Sequence, residues 1–113
     1  MAKKKETSFK EQVFDELDKL PNLWRVKISQ RSIRGTPDVL GVINTWPFAW
    51  ELKKAANEKP DPLQQFELRR IEKAGGIARS VHQENLEYHL MELIGLAMKP
   101  RQQPSRRSKS RPC

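Results

Sequence analysis

Three segments with helical apolar spacing predict an α/β domain in the order α-β-β-β-α-β-α. Three short apolar or alternating runs lie between the first two segments, and a fourth run precedes the last. The expected architecture is a mixed four-stranded sheet flanked by helices. With 113 residues there is room for one small domain and a modest core.

Residues 6–20 read as the first helix, because Phe9, Val13, Leu17 and Leu20 share one face and Pro21-Asn22 ends the pattern. Residues 23–29 alternate as a strand does, with Trp24, Val26 and Ile28 on one side and Leu23, Arg25 and Lys27 on a wetter one. A polar, basic connection over residues 30–36 includes Gly35. Pro37 then gives a rigid entry to a mostly apolar strand, residues 38–43, interrupted by Gly41. Residues 44–47 (Asn-Thr-Trp-Pro) have turn chemistry and residues 48–53 form a third strand, so the second and third strands are expected to pair as a hairpin. After a polar loop, Asp61-Pro62 opens the second helix, with the acid as N-cap and the proline at the first helical position. Its apolar side is Leu63, Phe66, Ile71 and Ala74, and Gly75-Gly76 stops it. Residues 77–82 form a short fourth strand. Residues 84–98 form a third helix with Leu86, Leu90, Leu93, Ile94 and Ala97 inward. There are no internal repeats.

The net charge of +8 is unevenly placed. Nine Lys and Arg lie in a basic N-terminal arm, residues 1–5, and a basic tail, residues 99–113, which lacks apolar periodicity and is expected to be disordered. The other 13 face all 14 Asp and Glu, so the domain, residues 6–98, is nearly neutral. Two basic arms suit a polyanion, because each neutralised phosphate releases counterions; solvated ends that only aid solubility are the alternative. The single cysteine, Cys113, excludes an intramolecular disulfide and a Cys-rich zinc site. No apolar run has the length of a membrane span or signal-peptide core, so a soluble protein of the cytoplasm, without membrane contact, is expected.

The chemistry concentrates between Gly35 and Lys53. Glu51 and Lys53 project to one side of the third strand while Leu52 goes to the core. Pairing of the second and third strands brings Asp38 near Glu51. Two carboxylates suit Mg²⁺, a hard ion that keeps several waters and takes few protein ligands, and a neighbouring lysine can stabilise charge on a phosphoryl group. By spacing alone, an ordinary salt bridge of Glu51 with Lys53 or Lys54 is the better explanation, since short D…E-x-K patterns are frequent by chance.

Gly35-Thr-Pro-Asp38, followed by Glu51-Leu-Lys53 and then by Gln64 entering a helix, resembles the PD-(D/E)XK nuclease superfamily. Within it the chain is most similar to small VRR-NUC-type and phage or Holliday-junction-resolvase-like nucleases, over about residues 6–95. The resemblance implies a restriction-endonuclease-like αβββαβα core and cleavage of DNA phosphodiesters with Mg²⁺ or Mn²⁺. It implies metal binding by Asp38, Glu51 and the Leu52 backbone carbonyl, with Lys53 as the catalytic lysine. Gln64, eleven residues before Gly75, would support water or metal; Asp61-Pro-Leu-Gln64 also reads simply as a capping box.

The family also carries a glutamate on its first helix. On a wheel of about 100° per residue, Glu6 falls in the apolar sector, Glu16 at its edge and Glu11 nearly opposite. Glu11 fits a capping box with Ser8, which in turn would leave Glu6 just outside the helix. Glu6 precedes Phe9 by three residues and Val13 by seven, as the family pattern requires, and is the choice here.

Arg31, Arg34 and Lys54 are candidate DNA contacts, against the alternative of solvated loop positions. Trp24, Trp46 and Trp50 could stack on bases, but tryptophans at strand positions are more often core. His82 and His89 have no metal-ligand spacing to other His or Cys. The leading expectation is a Mg²⁺-dependent endonuclease on duplex or branched DNA, as a homodimer if both strands are cut. The alternatives are a non-catalytic nucleic-acid-binding module of the same fold and a basic structural protein acting through its tail.

Overall fold

The computed structural model describes residues 8–28, 35–58 and 61–102. Its elements follow the predicted order: α1 (Phe9–Leu17), β1 (Leu23–Lys27), β2 (Val39–Ile43), β3 (Trp46–Leu52), α2 (Pro62–Lys73), β4 (Ile77–Val81) and α3 (Leu86–Ala97). The four strands form one mixed sheet in the order β1-β2-β3-β4, the first two pairings antiparallel and the last parallel. Helix α2 is the crossover that a parallel β3–β4 pair requires.

The β2–β3 connection is tighter than the sequence suggests. Only Asn44 and Thr45 form the turn, with φ of 50° and 74°, and Trp46 already pairs with Ile43. Positive φ at both central residues is the signature of a two-residue turn whose twist matches the strands. Pro47 therefore lies inside β3, opposite Val42. It is tolerated because the neighbouring strand starts only at Ile77, level with Phe48, so no ladder partner needs its missing N–H. Gly41 is the other irregularity. A Cβ there would come within 2.6 Å of the Phe48 ring and of the Trp24 carbonyl, so the strand must leave that position bare.

Register assigns the faces. Val39 and Ile43 share a side with Phe48, Trp50, Leu52 and Val81, and α1 and α3 cover it with Val13, Phe14, Leu17, Leu86, Leu93 and Leu96. Leu23 pairs with Ile43, so the Leu23-Arg25-Lys27 side of β1 faces this core, not the side bearing Trp24. Arg25 fits there by laying its guanidinium 4.4 Å from the Phe14 ring centre while pairing with Asp18 at 2.6 Å. The hydrogen bond to Arg25 holds the Asp18 carboxyl below its ordinary range.

Helix α2 lies against β3 and β4, and no described helix packs on the β1–β2 half of its side. Trp24 is consequently 59% exposed, whereas Trp50 is fully buried and Trp46 packs at the core margin. Two further expectations are corrected. Ile94 points outward, with Leu96 taking its place in the core. Helix α2 buries no residue fully: Leu63 and Phe66 are exposed, as is Ala74, and the half-buried stripe is Gln64, Glu67, Leu68 and Ile71. The strand beneath its first turn carries Glu51 and Lys53, so a polar side chain is the better fit there.

Two polar devices join the layers. Arg79 on the edge strand reaches Glu72 of α2 and Glu92 of α3; burial pushes the Glu92 carboxyl up, but the hydrogen bonds with Arg79 and His89 outweigh it and leave it below the ordinary carboxyl range. At the hairpin tip the buried Asn44 amide donates to the carbonyls of Leu96 (2.9 Å) and Lys99 (2.7 Å), closing the C-terminus of α3. Gln102 donates from its backbone and side chain to Thr45 (3.0 and 2.8 Å), so the expected tail is attached to the hairpin at its start; residues 103–113 lie outside the described residues. Among the described residues no helix is long and apolar enough to cross a membrane.

Asn44→Ala removes the amide and places Cβ chemistry of poorer αL tolerance at φ 50°. Its expected cost is about 1–3 kcal/mol in urea unfolding. Asn44→Gly relieves only the backbone part and should recover only a fraction of that loss.

Candidate active site at the end of the β2–β3 hairpin

Asp38 lies one residue before the Val39–Trp50 pair, at the start of β2, and Glu51 one residue after it on β3. Both acids are buried, at 5% and 3% exposure. The Asp38 backbone is fixed on both sides: its N–H donates to the Trp50 carbonyl (3.1 Å) and its carbonyl accepts from Ile28 (2.8 Å). Its side-chain Oδ2 accepts the Leu52 N–H at 2.8 Å, and its Oδ1 lies 3.5 Å from the Lys10 ammonium.

Glu51, Lys53 and Gln64 close a triangle. Gln64 Nε2 donates to Glu51 Oε2 at 2.6 Å, Lys53 Nζ donates to Gln64 Oε1 at 3.0 Å, and Lys53 Nζ stands 3.7 Å from Glu51 Oε2. The two sequence readings of Gln64 are both realised. Its backbone N–H donates to Asp61 Oδ1 (2.9 Å) and its Oε1 accepts the Asp61 N–H (3.0 Å), completing the capping box, while the same amide spans Glu51 and Lys53. The cap thus fixes the rotamer that the site uses.

Gly35 itself lies against the start of α2. At φ +88° its hypothetical Cβ would sit 2.7 Å from the Leu63 carbonyl oxygen. Pro37 has a different effect. It is buried and has no N–H, so that position offers no backbone donor to β3.

Two buried carboxylates at the same end of the hairpin are costly unless compensated. Here the compensation is one largely buried ammonium, Lys53, a more exposed one, Lys10, and hydrogen bonds from a backbone amide and a glutamine. Among the described residues no group of three or more His, Cys, Asp or Glu gathers as a metal cluster. The donors present are two carboxylates and a backbone carbonyl. That hard oxygen set fits Mg²⁺ or Mn²⁺, which keep most of their ligands as water.

Lys10 was not legible as a site residue, since a lone lysine in a first helical turn carries no pattern. Lys54 is exposed on the loop after β3, its backbone N–H donating to Glu58 Oε1 at 2.9 Å. Glu6, Arg31 and Arg34 lie outside the described residues. Of the other first-helix acids, Glu11 completes the capping box with Ser8, and Glu16 pairs with Lys19 at 3.3 Å. His89 contacts Glu92 at 3.2 Å on α3, well along the chain from the acids. Comparison with protein-family models, curated proteins and solved structures returned no match.

Gly35→Ala is expected to cost more than about 1 kcal/mol, because the backbone is left-handed there and the methyl group meets the α2 backbone. Thermal unfolding measures it. An unchanged midpoint would show that Gly35 does not brace the first turn of α2.

Proposed function

We propose that this chain is a metal-dependent endonuclease of the PD-(D/E)XK type, hydrolysing phosphodiester bonds in duplex or branched DNA. The observation that carries the reading is the triangle of buried Glu51 with Lys53 and Gln64, and the buried Asp38 whose carboxylate accepts the Leu52 N–H between Glu51 and Lys53. A binding module that touches phosphate has no use for two buried negative charges, and a structural domain would be more stable with apolar residues there. The element order, with an antiparallel hairpin followed by a parallel fourth strand, supports a restriction-endonuclease-like core.

In this reading Asp38 and Glu51 hold the ion, with the Leu52 carbonyl as a third donor. Such an ion, when bound, would supply Lewis acidity toward the phosphodiester and acidify water. The Leu52 N–H fixes the Asp38 carboxylate by its Oδ2, and Gln64 Nε2 fixes Glu51 by its Oε2. Lys53, its ammonium set by Gln64, donates to the attacking water or a phosphoryl oxygen and stabilises charge that grows at phosphorus. The family resemblance assigns Glu6 as a further site acid, and Arg31, Arg34, Lys54 and the basic arms are proposed to supply backbone affinity that falls steeply with salt. Trp24, exposed on the same side of the sheet as the acids, adds a surface on which an unpaired base stacks.

The test is incubation of supercoiled, branched and single-stranded DNA with the protein in Mg²⁺ or in EDTA. Cleavage requires Mg²⁺, and Glu51→Ala lowers it by more than about 100-fold while DNA binding persists. Equal cleavage by Glu51→Ala overturns the site, and binding without cleavage under every metal tested selects the non-catalytic module.

A further inference from the structure

Half of the exposed large hydrophobic side chains among the described residues fall on one stripe of α3: Tyr88 (71% exposed), Met91 (60%), Ile94 (38%) and Met98 (77%). They lie across the helix from Leu86, Leu93 and Leu96, which fill the core. Residues 88, 91, 95 and 98 repeat at intervals of three, four and three, the spacing of a helix–helix seam. At Gly95 the stripe has a gap, where a Cβ would meet nothing within 4 Å. An apolar row of about 15 Å along one helix is more than a scatter of single surface hydrophobes.

We propose that this stripe is a two-fold interface between two copies of the chain, with their α3 helices packed antiparallel. The sequence is self-complementary in that orientation. With the two-fold axis level with Leu93, Met91 enters the gap at the second copy's Gly95, and Tyr88 meets the second copy's Met98. Sulfur against an aromatic ring is a favourable contact. The same register brings Glu87 to the level of the second copy's Lys99, just past the end of α3. The ends agree in charge as well: Glu84 and Glu87 flank the start of α3, and Lys99 and Arg101 follow its end. Antiparallel packing joins these ends, whereas parallel packing opposes like charges. In a single copy the Lys99 ammonium lies 5.6 Å from the Trp46 ring centre, and its side chain is exposed.

A polyanion fits this face poorly, because its acidic end would repel phosphate. A second copy satisfies both the apolar row and the charge pattern, and a closed two-fold pair buries the row on each copy at once. The interface is independent of the proposed nuclease reading. Together they give a pair carrying two copies of the Asp38–Glu51 site, which suits a two-stranded substrate.

Sedimentation equilibrium of the full chain, with Cys113→Ser to remove the thiol, reads the association directly. The expected result is a dimer at high micromolar concentration. Met91→Glu weakens it by about 30-fold or more, with the circular dichroism and melting temperature of the monomer unchanged. Glu87→Lys also weakens it, and Glu87→Lys combined with Lys99→Glu restores it. If Met91→Glu does not fold, Met91→Ala and the charge pair carry the test. A monomer at every concentration overturns the proposal. So does a dimer that these substitutions leave intact, which would place the interface elsewhere, and so does a dimer that loses affinity in Glu87→Lys without recovery in the double variant.

Discussion

Two residues of left-handed backbone, Asn44 and Thr45, fix how β2 lies against β3, and the candidate site depends on that register. A strand alternates sides with every residue, so a slip of one position would send Glu51 and Lys53 into the core and Leu52 outward. The turn sits at the far end of the hairpin from the acids. Its geometry is stabilised from outside the hairpin, because the Asn44 amide is engaged by the last carbonyls of α3 and Gln102 returns to Thr45. The packing of α3 and the register that positions Asp38 and Glu51 are therefore linked through one buried amide.

At the other end, electrostatics and helix capping share the same atoms. Asp61 and Gln64 start α2 by a reciprocal cap that would be adequate on an exposed helix. Here the cap also holds the Gln64 amide between Glu51 and Lys53. Helix α2 consequently turns a polar stripe to the sheet and leaves Leu63 and Phe66 outside. The arrangement gives up apolar burial beneath α2, and the larger core forms on the opposite side, under α1 and α3. Such a conflict between local pattern and packing is what a functional site produces in an otherwise consistent fold.

The order of elements and the hairpin were legible because they rest on local signals: apolar periodicity, Asp61-Pro62 at a helix start, Gly75-Gly76 at its end. That Glu51 and Lys53 share a side was legible from strand alternation, whereas Gln64 entered only through the family resemblance and its contact with them depends on how α2 docks. What was not legible depends on which layer covers which side. The alternation of β1 was visible, yet the sequence does not say that its Trp24 side would be left without a helix. The outward turn of Ile94 has the same origin, since Leu96 and Ile94 are equally apolar and only the position of the sheet chooses between them. The Lys10–Asp38 pair joins distant segments without any motif.

The central claim is that Asp38 and Glu51 are buried together in order to hold a divalent cation, and thermal unfolding under Mg²⁺ or Mn²⁺ titration tests it without any substrate. An ion that binds only the folded chain raises the melting temperature in a saturable way, by about 1.4 kcal/mol of stability at ten times its Kd. The account predicts that rise in the wild type and its loss in Glu51→Gln, which keeps the size of the side chain and removes the charge. A wild type indifferent to both ions, or an equal rise in Glu51→Gln, would contradict it.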